Sequence, residues 1–140
     1  MFSGRTPELR GLMLVALYSV LGCATVNPQA AALIEYRRSG GITGREDRLV
    51  VQSDGTVHLS RRAALTDFHL TPETLAQLRA LLDSTDFRGL RAEYLPPRRG
   101  ADLFEYVVIY QGRTVRAMDT AIPPELQPLI QLLSGLANRR

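Results

Sequence analysis

With a single cysteine, Cys23, the chain cannot close an internal disulfide and has no cysteine pair to hold a metal. The domain it forms must therefore be held by packing alone. The place of that cysteine narrows the choice further. It follows an apolar stretch over residues 12–21, and the segment before that stretch carries Arg5 and Arg10 against one acid, Glu8. A basic start followed by a short apolar run is a secretory signal layout. At about 1.5 Å per residue the run covers roughly half of a hydrocarbon core and cannot cross it alone.

The run ends in Val20-Leu21-Gly22-Cys23, which resembles a bacterial lipobox. The sequence thus predicts a signal peptide over residues 1–22 and lipid attachment at Cys23. The alternative, a plain cut after Ala30-Ala31-Ala32, would discard Cys23 and lies unusually far beyond the apolar run. Several acyl chains, at about 0.8 kcal/mol per buried methylene, make an effectively permanent anchor. The residue after Cys23 is Ala24, not Asp. By resemblance to Gram-negative sorting this implies an outer-membrane location facing the periplasm. Residues 23–32 are small and polar, as suits a tether, and residues 33–140 are expected to form one globular domain.

Seventeen basic residues, all arginine, stand against fourteen acids. Without Arg5, Arg10 and Glu8 the balance is fifteen against thirteen, a formal charge of +2. The arginine pairs at 37/38, 61/62, 98/99 and 139/140 are scattered among acids and form no phosphate-tracking stripe. They read as solvated surface charge, and no nucleic-acid partner is expected. Arg61-Arg62 and Arg98-Arg99 could instead meet anionic headgroups near the membrane.

Residues 33–38 alternate, with Ile34 and Tyr36 on one side and Glu35 and Arg37 on the other, as in a half-buried strand. Three glycines between positions 40 and 44 then predict a turn or exposed loop. Residues 48–52 and 56–60 flank Asp54-Gly55, a hairpin signal. A two-residue turn there would pair Val50 with Leu59 and Val51 with His58, and leaves open which face is buried. Thr71, Pro72 and Glu73 open a helix with Leu75, Leu78 and Leu81/Leu82 in one stripe and Phe87 covering its end. Residues 89–100, with Pro96-Pro97, have no period and read as a loop.

Residues 103–110 and 113–118 pair across Gln111-Gly112, placing Phe104, Tyr106, Val108, Val115 and Ala117 on one face and Glu105 and Arg116 diagonally on the other. A last helix, with Leu126, Leu129, Ile130, Leu133 and Leu136 in phase, must begin near Pro124 or Glu125 because Pro128 is tolerable only in a first turn. The expected class is α+β: an antiparallel sheet of four to five strands with two helices packed on one face.

The inventory for catalysis is thin. Only His58 and His69 are present as histidine bases, each reading as structural or surface, and no metal-ligand spacing occurs. The carboxylate pairs Glu46-Asp47 and Asp83/Asp86 read as solvated. The sequence predicts no enzyme, no cofactor and no small-molecule substrate. The Gly40-Gly41 loop lacks the lysine and following helix of a phosphate loop. It is either a tight structural turn or a protein-contact loop.

Four segments carry a family likeness. The run from Tyr36-Arg37-Arg38 through Ser39-Gly40-Gly41-Ile42-Thr43-Gly44, the stretch Leu70-Thr71-Pro72-Glu73 through Leu82 to Phe87, Gly100-Ala101-Asp102-Leu103-Phe104-Glu105-Tyr106, and Pro123-Pro124-Glu125-Leu126-Gln127-Pro128-Leu129 resemble, in order, the emfourin family. Its members are small bacterial protein inhibitors of thermolysin-like zinc metalloproteases. The resemblance implies a helix packed on an antiparallel sheet, a metalloprotease partner, and contact through Ser39, Gly40, Gly41, Ile42 and Gly44, acting by occlusion without a covalent step. Two departures stand out: the Asp54-Gly55 hairpin and residues 61–67 look longer than in typical members, and the lipid signal is foreign to them. The competing expectation is a non-inhibitory envelope lipoprotein that binds or scaffolds another envelope component.

Overall fold

The computed structural model describes residues 31–98 and 100–139; the expected signal segment, Cys23 and most of the expected tether lie outside them. Among the described residues the chain forms β1 (Ala32–Gly40), β2 (Arg45–Gln52), β3 (Thr56–Arg61), β4 (Ala64–His69), α1 (Pro72–Ser84), β5 (Glu93–Tyr94), β6 (Phe104–Tyr110), β7 (Arg113–Met118) and α2 (Gln127–Ala137). The strands make one sheet in the order β4-β3-β2-β1-β6-β7-β5. The mixed α+β class matches the sequence expectation, but the sheet has seven strands in place of the expected four to five. It is not wholly antiparallel either, since β5 runs parallel to β7.

Alternation along the strands decides which face is covered. Ile34 and Tyr36 of β1, Leu49 and Val51 of β2, Val57 and Leu59 of β3, Val108 of β6 and Val115 and Ala117 of β7 are all buried. They share one cluster with Leu78 and Leu82 of α1 and Leu129, Ile130, Leu133 and Leu136 of α2. Both helices therefore lie over the same face. Tyr36 ties that face to α2 directly, its hydroxyl lying 2.6 Å from Ser134 Oγ. Burial pushes the Tyr36 phenol above its ordinary range, so it stays a neutral partner in this bond.

The first helix forms where its signals stand. Thr71 Oγ1 accepts from the Thr74 amide at 3.2 Å, Pro72 occupies the first turn and Glu73 adds a negative charge there. The second begins later than expected, at Gln127, with Leu126 as its N-cap. Residues 123–126 instead form a separate turn closed by the Leu126 amide on the Pro123 carbonyl. Pro128, lacking an N–H, still sits in the first turn, so the physical constraint holds although the start moves.

Two hairpins separate a correct register from an incorrect one. Tyr110 pairs with Arg113 across Gln111-Gly112, both turn residues with positive φ, as a two-residue primed turn requires. The Asp54-Gly55 hairpin differs. Leu49 pairs with Leu59, Val50 with His58 and Val51 with Val57, so the loop holds three residues, with Gly55 at φ 89°. The two-residue register would have put Val51 opposite His58; the observed one gathers Leu49, Val51, Val57 and Leu59 on the buried face, and that burial selects it.

The added strands come from segments without a clear period. Residues 61–67 fold back as the β3–β4 hairpin, with β4 at the sheet edge and mostly exposed. The expected loop over residues 89–100 contains β5, and Leu90 within it is buried.

Candidate protein-contact site

The turn between β1 and β2 is built by its glycines. Gly40, Gly41 and Gly44 take φ of 99°, 72° and 58°, angles that side chains disfavour. Space is also short at two of them. A Cβ on Gly40 would sit 2.6 Å from the Leu103 carbonyl oxygen, and one on Gly41 would sit 2.8 Å from the Phe104 ring. The Gly41 amide donates to that same Leu103 oxygen at 3.2 Å, and the Gly44 amide to the Gly41 oxygen at 3.0 Å. The turn is thus folded down against residues 103 and 104.

That platform is itself fixed. Asp119 accepts the Phe104 amide and the Tyr106 hydroxyl, each at 2.8 Å. Burial, and then the Asp119 carboxylate, push the Tyr106 phenol far above its ordinary range. The outcome is a turn fastened at its base with one apolar side chain held out: Ile42 is 90% exposed. Ser39, at the end of β1, faces the other way, onto a depression of about 650 Å³ on the open side of the sheet. Of the five expected contact residues, Ile42 presents a free side chain at the tip, while the glycines shape the support.

Beneath the turn the core ends in a polar layer that the sequence did not disclose. Arg38 and Asp47, both expected to be solvated, are 6% and 4% exposed. Arg38 donates to Asp47 Oδ2 through Nε at 3.0 Å and Nη2 at 2.6 Å. Arg45 and Arg61 approach the same carboxylate at 3.6 and 3.7 Å. Asn138, the C-cap of α2, accepts from Arg38 and Arg45 through its side-chain oxygen. Arg61 donates to the carbonyls of Ala137 and Arg139. Cationic donors on the last carbonyls of a helix satisfy unpaired acceptors and oppose the helix dipole. This layer joins the root of the β1–β2 hairpin to the end of α2.

Residues 50–134, more than half of the chain, match the family model of emfourin. The chain belongs to the emfourin family. No curated protein matches it. The matched span takes in α1, the β6–β7 hairpin and most of α2, three of the four segments that carry the resemblance. The β1–β2 turn lies ahead of it. Emfourins are protease inhibitors and not enzymes, and a metalloprotease is the partner the family suggests.

Among the described residues no element covers the open face of this emfourin sheet, which carries ion pairs instead. Glu35 accepts from Arg37 at 2.7 Å and from Arg48 at 2.8 Å, while Arg116 bridges Glu93 and Glu105. The diagonal Glu105 and Arg116 pair is as the sequence predicts. His58 lies opposite Val50 on this face, not beside Val51, with its Nδ1 2.8 Å from Asp67 Oδ1. A histidine and carboxylate thus meet, but side-chain exposures of 43% and 69% place them on an open surface rather than in a desolvated cleft. His69 lies 3.4 Å from Thr56 Oγ1 at the far end of β4. Among the described residues no cluster of three His, Cys, Asp or Glu could hold a metal, and no described helix is long and apolar enough to cross a membrane.

Proposed function

We propose that this chain is a non-covalent inhibitor of a thermolysin-like metalloprotease, anchored through lipid on Cys23 to the outer membrane and facing the periplasm. Membership of the emfourin family carries the inhibitor part. The signal layout and the Val20-Leu21-Gly22-Cys23 motif support the anchor, and Ala24 supports the outer membrane. We assign contact to Ser39, Gly40, Gly41, Ile42 and Gly44. Ile42 would enter an apolar subsite, and the glycines, without side chains, would let the backbone approach the cleft. Occlusion by a turn fastened at its base loses little conformational freedom on binding and needs no bond to form.

The tether fits this arrangement. Ala32 begins β1 and Gly40 ends it, so a linker ahead of Ala32 reaches the sheet at the end opposite the turn, roughly 30 Å away at about 3.3 Å per residue. An anchored molecule would present Ile42 away from its attachment.

The deciding measurement titrates the full chain, in detergent, into thermolysin-like peptidases and follows residual peptidase activity. Activity is expected to fall at one inhibitor per enzyme. Ile42→Ser is expected to raise the half-inhibition concentration about tenfold, equivalent to ~1.4 kcal/mol. Full activity at large excess of the chain would reject inhibition and favour the non-inhibitory envelope role.

A further inference from the structure

Two large apolar side chains stand out on the described surface, Ile42 at 90% and Leu65 at 81% exposure. They belong to different hairpins, yet the topology brings those hairpins to one end of the sheet. Strand β2 begins at Arg45, β3 ends at Arg61 and β4 begins at Ala64, so the β1–β2 and β3–β4 turns are neighbours. Arg62 joins them physically. Its Nη2 donates to the Thr43 oxygen at 2.8 Å and the Gly44 oxygen at 3.2 Å, and its amide donates to the Glu46 oxygen at 3.3 Å. It makes these bonds from φ 48°, the left-handed backbone it takes in the two-residue turn between Arg61 and Ala64.

We propose that Leu65, three residues beyond Arg62 in the hairpin that Arg62 ties to the β1–β2 turn, is a second anchor for the same partner, so that contact spans both turns. This rests on the inhibitor reading. Leu65 lies opposite Ser60 on the open face of the sheet, where it has no core to join. Edge strands of soluble proteins ordinarily carry a charge or proline at such positions, and β4 carries leucine. The partner's chemistry follows from the charged groups between the two turns. A depression of about 230 Å³ between the turns is lined by Arg45, Arg61 and Arg62 against Glu46 and Asp47, and Asp47 is already paired with Arg38. The surplus is positive. The surface fits a cleft with apolar subsites and an acidic rim, since complementary charge guides encounter and register while buried apolar anchors supply affinity.

The test compares the full chain with Leu65→Ser, Leu65→Met and Ile42→Ser in the same peptidase titration, with thermal unfolding of each as a control for folding. Leu65→Ser is expected to raise the half-inhibition concentration about tenfold with an unchanged unfolding midpoint, and Leu65→Met to inhibit as the parent does. Raised salt is expected to weaken the parent's inhibition. If Leu65→Ser inhibits like the parent while Ile42→Ser does not, contact is confined to one turn and the second anchor is rejected with the inhibitor reading intact. If the parent itself fails to inhibit, the inhibitor reading falls and the second anchor falls with it.

Discussion

At Gly41 a single methyl group meets an aromatic ring, and at Gly44 it meets nothing, although both residues have positive φ. The two positions therefore separate backbone strain from steric clash. Gly44→Ala is expected to cost about 1–2 kcal/mol, the penalty of a left-handed alanine, and Gly41→Ala more than that because Phe104 must also move. Urea unfolding midpoints of the two variants check the order. For the same reason bulky residues at Gly40 or Gly41 would confound folding with contact, and Ile42 is the cleaner probe of function. The turn was legible in the sequence because three glycines so close together weaken any helix or strand and favour left-handed backbone. Arg38 and Asp47 were not legible. Each sits beside another charged residue, Arg37 or Glu46, and only strand alternation combined with the end of α2 shows which member of each pair turns inward.

Among the elements, those with a strong local signal are the ones the sequence predicts well. Thr71-Pro72-Glu73 set the start of α1, and Gln111-Gly112 set the β6–β7 register. Strands β4 and β5 escape such a reading because tertiary pairing creates them: β4 is almost wholly exposed and lacks alternating burial, and β5 has two residues beside a proline pair. The β1–β2 pairing is further held by Glu35, whose carboxyl is kept below its ordinary value of 4.5 chiefly by the Arg48 hydrogen bonds, with Arg37 adding to them and burial opposing. A carboxyl depressed by folding stabilises the native state above its unfolded value and loses that contribution as pH falls through the folded value. Glu35→Gln is accordingly expected to be less stable than the parent near pH 7, with the gap narrowing as pH falls below 4.5. Urea titrations at pH 7 and at successively lower pH would show whether the gap narrows.

Taken as a whole, the molecule depends on one cross-connection between its sheet and α2. Asp47 receives the buried Arg38 and draws in Arg45 and Arg61, which together hold Asn138 and the last carbonyls of the helix. Removing it would leave a buried guanidinium without its counter-ion. Asp47→Ala is expected to destabilise the chain by about 3–5 kcal/mol, measured by chemical denaturation. The same layer explains how an exposed turn can stay fastened while standing on charged residues. The position of β1 matters in another way. It is an interior strand, paired with β2 from Ala32 and with β6 from Glu35, in both cases as far as Gly40. If the chain is held at the start of β1 and gripped at the turn that ends it, a pulling force runs along the strand axis and through the extended backbone of β1 itself. Covalent bonds between the two points of attachment then carry the load, and neither ladder has to slide or open to bear it. An inhibitor moored in this way would withstand tugging by a diffusing enzyme without drawing on the stability of its fold.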